Sequence, residues 1–193
     1  LTFLPEGYQV PDATTGYMKF KQGENRFRIL SSAIVGWEAW NDEDGKRKPI
    51  RWANGENYDI SKLDEPDKVK HFWAFVVWNY SDKKIQILEI TQKGIMKSLK
   101  VLLDDEDWGD PKNYDVVVIK EGEDLATTYS VQPKPAKKLD EEVANAWKEI
   151  KDTLKLEALF EGKDPLEKVS SGWTEKDNEA VDNFDPNDKD VPF

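Results

Sequence analysis

The chain of 193 residues has no cysteine and a single histidine, His71. This removes disulfides, thiolate metal sites and cysteine nucleophiles together, and it is compatible with a reducing compartment. No run approaches the roughly 20 apolar residues that a membrane span needs, and no basic stretch followed by an apolar one opens the chain. Neither common glycine-rich phosphate-binding motif occurs, so an ATPase and a nicotinamide enzyme both lack support. His71 has no serine or cysteine signature beside it and reads as packing or surface, not as a general base. The acids Asp104, Asp105, Glu106, Asp107 and Asp110 do not follow the alternating order of an EF-hand loop and read as a solvated helix terminus. The expectation is therefore no enzyme, no metal, no cofactor and no membrane, with a cytoplasmic location. The chain opens on Leu1 and not on methionine, so a short N-terminal piece is expected to precede it.

What is abundant is charge, and it is unevenly placed. The net charge is -11. Residues 1–139 carry 21 Lys+Arg against 23 Asp+Glu, whereas residues 140–193 carry 7 against 16. The acidity thus belongs mostly to the C-terminal part, the pattern of an acidic interaction tail. Apolar residues concentrate before residue 104, so one packed domain with appendages is expected.

Periodicity orders that domain. Residues 1–16, with two prolines and two glycines, read as an irregular arm. From Tyr17 to Ser31, Met18, Phe20, Phe27 and Ile29 alternate with Lys19, Lys21, Arg26 and Arg28, the two-residue period of a strand with one apolar and one cationic face. Residues 32–69 hold Trp37, Trp40, Trp52 and Tyr58 among turn residues such as Asp44-Gly45, which predicts short ribbons within a long excursion. Lys70 to Tyr80 and Lys84 to Thr91 read as a hairpin. Ile95, Met96, Leu99, Leu102 and Leu103 then form the stripe of a helix behind Thr91 as N-cap. Asp115 to Lys120 and Thr127 to Gln132 read as a last strand pair.

Strand, excursion, strand, strand, helix, strand, strand is the order of an OB-fold, a five-stranded Greek-key barrel with one helix between strands 3 and 4. The mainly β domain spans 17–132. A Pro/Lys linker covers 133–139, an amphipathic helix 140–160 carries Val143, Trp147, Ile150 and Leu154, and a disordered acidic tail fills 161–193.

The end of the chain, Asn187 to Phe193, resembles the tail of bacterial single-stranded DNA-binding proteins. The matching residues are Asp188, Asp190, Val191, Pro192 and Phe193; Lys189 interrupts the acidic run, and valine stands where isoleucine is commoner. The resemblance implies a partner-binding tip for proteins of replication or repair. A terminal phenyl ring can enter an apolar pocket while the α-carboxylate meets a cation, and Pro192 lowers the entropy lost on binding. Residues 17–132, from Lys-Phe-Lys and Arg-Phe-Arg-Ile-Leu through Trp73 to Ile90, look like phage-type helix-destabilising proteins. The zinc module of some of those proteins needs cysteines and is not carried over.

Single strands bind by stacking bases on aromatic rings and passing phosphates over cations. The candidates are Lys19, Lys21, Arg26 and Arg28 on the first strand. In the excursion they are Trp37, Trp40, Lys46, Arg47, Lys48, Arg51 and Trp52. On the second strand Trp73, Phe75 and Val77 are expected inside, leaving Phe72, Trp78 and Tyr80 as stacking surfaces unless the C-terminal helix or the N-terminal arm covers them. The expected function is to coat and protect single-stranded DNA in the cytoplasm of a host cell, without strong sequence preference. A homo-oligomer is compatible with this. The alternatives are a carbohydrate-binding module and an OB-like adaptor that binds only protein.

Overall fold

The computed structural model describes residues 16–167. The expected partner-binding tip, Asp188, Asp190, Val191, Pro192 and Phe193, lies outside the described residues, as do residues 1–15 of the expected N-terminal arm. The elements are β1 (Gly23–Ile29), β2 (Ile34–Glu43), β3 (Lys46–Ala53), β4 (Lys70–Asn79), β5 (Lys84–Ile90), α1 (Lys93–Asp104), β6 (Asp115–Glu121), β7 (Thr128–Pro133) and α2 (Glu141–Ile150), with short 3-10 turns between them. The fold is mainly β, an open antiparallel sheet of seven strands with few helices.

β4 organises the sheet because it is apolar on both faces and long enough to take two partners on one edge. Its first half pairs with β2 and its last residues with β1, while β5 runs along the opposite edge. β1 continues to β6, and β6 to β7.

Three boundaries differ from the sequence expectation. The first strand begins at Gly23, not Tyr17, because the Asn25 side chain folds back on Lys21, accepting from its N–H and donating to its carbonyl at 2.8 Å each. Residues 16–18 instead run beside the free edge of β5, Met18 N–H donating to Ile87 O at 2.9 Å and Ile87 N–H to Gly16 O at 2.8 Å. The excursion contains one long hairpin, β2–β3, in place of short ribbons. Glu43 faces Lys46 across a two-residue turn in which Asp44 (φ 52°) and Gly45 (φ 73°) are both left-handed, the backbone that matches strand twist and favours Asp-Gly. The helix of 140–160 stops at Ile150 and resumes as a 3-10 turn, Leu156–Glu161. That break lets Leu154, Leu156 and Leu159 all reach the sheet, which one continuous helix face could not do. In addition, the residue before α1 is Gln92 and not Thr91, with no side-chain cap bond.

Two cores sandwich the sheet. On the inner face α1 lays Ile95, Met96 and Leu99 over Phe27, Ile29, Phe75, Val77, Val116 and Val118. On the outer face Phe72, Ala74, Val76, Trp78 and Ile87 lie under Val143, Leu154, Leu156, Leu159 and Leu166. The cover reaches Leu166, beyond the expected start of the acidic tail at residue 161. Gly36 admits it: a Cβ there would stand 2.3 Å from Trp52 O and 2.9 Å from a Phe160 ring carbon. Burying five such aliphatic side chains, at about 1.5–3 kcal/mol each, stabilises on the order of 10 kcal/mol. That is comparable to the whole stability of a domain, so this segment is part of the fold. Among the described residues no helix is long and apolar enough to cross a membrane.

Candidate nucleic-acid interface

The β2–β3 hairpin carries the exposed aromatic surface. Trp37 and Trp40 are three residues apart on one strand, so they face opposite sides of the ribbon, and they are 37% and 39% exposed. Trp37 lies edge-on against His71 with ring centroids 4.7 Å apart, and Trp40 donates its indole N–H to Glu38 Oε1 at 3.2 Å. His71 Nδ1 has no hydrogen-bond partner among the described residues. Trp52 is buried and stacks on Tyr58 at 4.5 Å and 17°, which fixes the chain that follows β3.

Lys46, Arg47 and Lys48 are exposed where the ribbon turns. Arg47 pairs with Glu65 at 3.1 Å and Lys48 with Glu43. Ion pairs this exposed contribute about 0–1 kcal/mol, so a phosphate can replace either carboxylate.

Arg51, by contrast, has its side chain largely withdrawn from solvent, 9% exposed. Its Nη2 stands 2.8 Å from Glu38 Oε2 and 2.9 Å from Glu89 Oε2, and its guanidinium lies over Phe72. One arginine between two carboxylates leaves an excess negative charge. Burial, and then the neighbouring Glu38 carboxylate, push the Glu89 carboxyl up to about 8.

β1 shows the same kind of withdrawal. Asp115, at the start of β6, is fully buried and collects Arg28 Nη1 at 3.1 Å, Arg26 Nε at 3.0 Å and the Tyr80 hydroxyl at 2.9 Å. Lys137 of the linker stands 3.6 Å away. Burial alone would raise its pKa, but the bonds from Arg26, Arg28 and Tyr80 hold it below the usual carboxylate range. Burial, and then Asp115, raise the Tyr80 phenol above its ordinary value. Arg28 further donates to the carbonyls of Lys112 and Lys137 and is only 2% exposed.

The candidate residues therefore separate into three groups. Trp37, Trp40, Lys46, Arg47 and Lys48 come together on the ribbon. Lys19 and Lys21 are exposed but lie away from it, Lys21 being 3.7 Å from Asp82 in the β4–β5 turn. Arg28, Trp52, Phe72 and Trp78 are buried; Arg51 is half-buried and held by Glu38 and Glu89; Arg26 and Tyr80 keep partial exposure but are bonded to Asp115. No protein-family model matches the chain, and no curated protein matches it. The expected inner placement of Trp73, Phe75 and Val77 agrees with the structure. Phe72 and Trp78 are a correction: the outer face of β4, expected to stack bases, is covered by the C-terminal segment, because burying so large an apolar face under the chain's own aliphatic side chains is favourable.

The acidic run after α1 is internally bonded. Asp105 Oδ1 accepts from the backbone of Asp107 at 2.8 Å and of Trp108 at 3.3 Å, and Asp104 holds Lys100. Sequence reasoning missed the Asp115 hub and the Glu38–Arg51–Glu89 triad. The only signal was the alternation of Arg26 and Arg28; their acceptor is nearly 90 residues away in sequence.

Proposed function

We propose that the chain binds single-stranded DNA without strong sequence preference, and that its acidic tail recruits proteins of replication or repair. One observation carries this reading: the β2–β3 ribbon presents a tryptophan on each face beside Lys46, Arg47 and Lys48, which joins base-stacking rings to phosphate-binding cations. The strand order supports it. β1 lies between β4 and β6, followed by the β4–β5 hairpin, α1 and the β6–β7 hairpin, an order that the OB-type reading requires. On that reading the ribbon is the loop between OB strands one and two, one of the places where that fold takes oligonucleotides. The protein acts as a non-enzymatic coat for exposed strands, encoded by a phage or a similar replicon and working in the host cytoplasm.

Tryptophan fluorescence titrated with an oligo-dT and with a duplex of equal length tests the proposal. The expected result is quenching by the single strand, with log K falling about 0.7 per phosphate contact against log salt. No quenching at low salt would overturn it. Quenching by a neutral oligosaccharide without a salt slope would instead establish the carbohydrate reading, which rests on the same two tryptophans.

A further inference from the structure

We propose that a cleft on the inner face of the sheet takes one unstacked base of the bound strand; this rests on the single-strand reading and adds a site to it. The cleft encloses about 240 Å³. Its floor is Trp73 and Phe75 of β4, its wall is Leu99 and Leu103 of α1, and its mouth is the connection from β1 to β2 at Ser31, Ser32 and Ala33. Pockets for drug-sized ligands run to roughly 300–1,000 Å³, so this one suits a single flat ring system. Most of its lining surface is apolar, as a surface for the face of a base should be.

Three observations favour a nucleobase as the occupant. First, the cleft floor and the exposed ribbon share one face of the sheet. Trp73 is two residues from His71 on the same face of β4, and the Trp37 ring rests on His71, so an aromatic row leads from the ribbon to the cleft floor.

Second, Lys100 and Lys112 stand at the rim, placed for the phosphates on either side of an inserted base. Their present partners are Asp104 and Asp110, the latter also at the rim and 3.4 Å from Lys112. Exposed pairs of this kind are weak, and phosphates can replace the carboxylates. Third, the outer face of β4 and β5 is occupied by the chain's own residues 143–166, and on the inner face, which α1 covers, this cleft is a place where Trp73 and Phe75 still line open space. A base in a single strand has no pairing partner to give up on entering the cleft.

The test is the full chain carrying Ala33→Trp. Ala33 is an exposed residue at the mouth, so the substitution fills the cleft without removing any core group. Affinity for a fluorescein-labelled oligo-dT is expected to weaken about tenfold, the loss of one stacked base, with an unchanged thermal midpoint. In parallel, an oligonucleotide bearing 5-iodouracil is photocrosslinked to the unaltered chain, with the adduct expected on the peptide containing Trp73. Wild-type affinity of Ala33→Trp, or adducts confined to the β2–β3 ribbon, would overturn the cleft while leaving the single-strand reading standing. Failure of the unaltered chain to bind the oligonucleotide at all would overturn that reading and the cleft with it.

Discussion

Arg28 and Asp115 hold each other at 3.1 Å, and both are essentially withdrawn from solvent. The pair joins β1 to β6 in register, and through the carbonyls of Lys112, before β6, and Lys137, in the linker, Arg28 also ties those two segments to β1. A charge in this position has lost its hydration and depends on its partner.

Removing one side of the pair leaves the other buried and uncompensated. Asp115→Ala or Arg28→Ala should lower unfolding stability by about 3–5 kcal/mol, measured by urea titration. Arg28→Lys should recover only part of this, because an ammonium cannot bond Asp115 and two carbonyls in a planar fork. In any variant that folds, the salt slope of DNA binding should match that of the wild type, since Arg28 makes no surface contact.

Stability should fall as pH rises from about 4.5 to about 8. Glu89 is held protonated in the folded chain up to about 8, against an ordinary 4.5, so over that window the folded state binds the extra proton and raising pH favours unfolding. Asp115 has the opposite shift, and its contribution is lost only as pH falls through its lowered folded pKa. Denaturant midpoints from pH 5 to 9 should show the decline, and Glu89→Gln should flatten it. A flat wild-type profile would refute the assignment.

Trp37→Ala and Trp40→Ala should each weaken oligo-dT binding by about 1–3 kcal/mol. Their effect on stability should stay within about 0.5 kcal/mol, as for surface positions outside the core. Equilibrium titration and thermal melts on the same samples separate the two effects.

Gly16 and Leu166 offer a lock for the C-terminal cover in a chain with no cysteine of its own. A Cβ on Gly16 would lie 3.7 Å from the Leu166 Cβ, within disulfide range. The Gly16→Cys/Leu166→Cys pair should oxidise readily and stabilise by about 2–4 kcal/mol. Oxidised and reduced forms should bind oligo-dT equally, because the cover is a permanent part of the fold. Binding restored only on reduction would show that the cover moves.

Deleting residues 175–193 should tighten DNA binding at low salt, since this removes acids that compete with phosphate for the same cations, and should abolish recruitment of partner proteins. Titrations at two salt concentrations and a pull-down with a replication or repair protein bound by the full chain check both effects; unchanged values for both would remove the tail from the mechanism.

Local pattern was enough for much of this molecule. Alternation in Lys70 to Ile90, the apolar stripe of Ile95, Met96 and Leu99, and the turn at Asp44-Gly45 are each properties of a few neighbouring residues, and the elements they specify are present. Period two also groups Trp73, Phe75 and Val77 on one face of β4 and Phe72, Trp78 and Tyr80 on the other. What the sequence could not decide was which of β4's two apolar faces meets solvent, because both carry the same kind of residue. Only the arrival of Leu154, Leu156, Leu159 and Leu166 from the end of the described chain settles that Phe72 and Trp78 are interior. The same holds for the cations: Arg26, Arg28 and Arg51 look like surface charge until register sets Asp115 and Glu89 beside them. Periodicity is local and sets secondary structure, whereas burial and charge pairing depend on contacts between distant segments, which only the tertiary structure brings together.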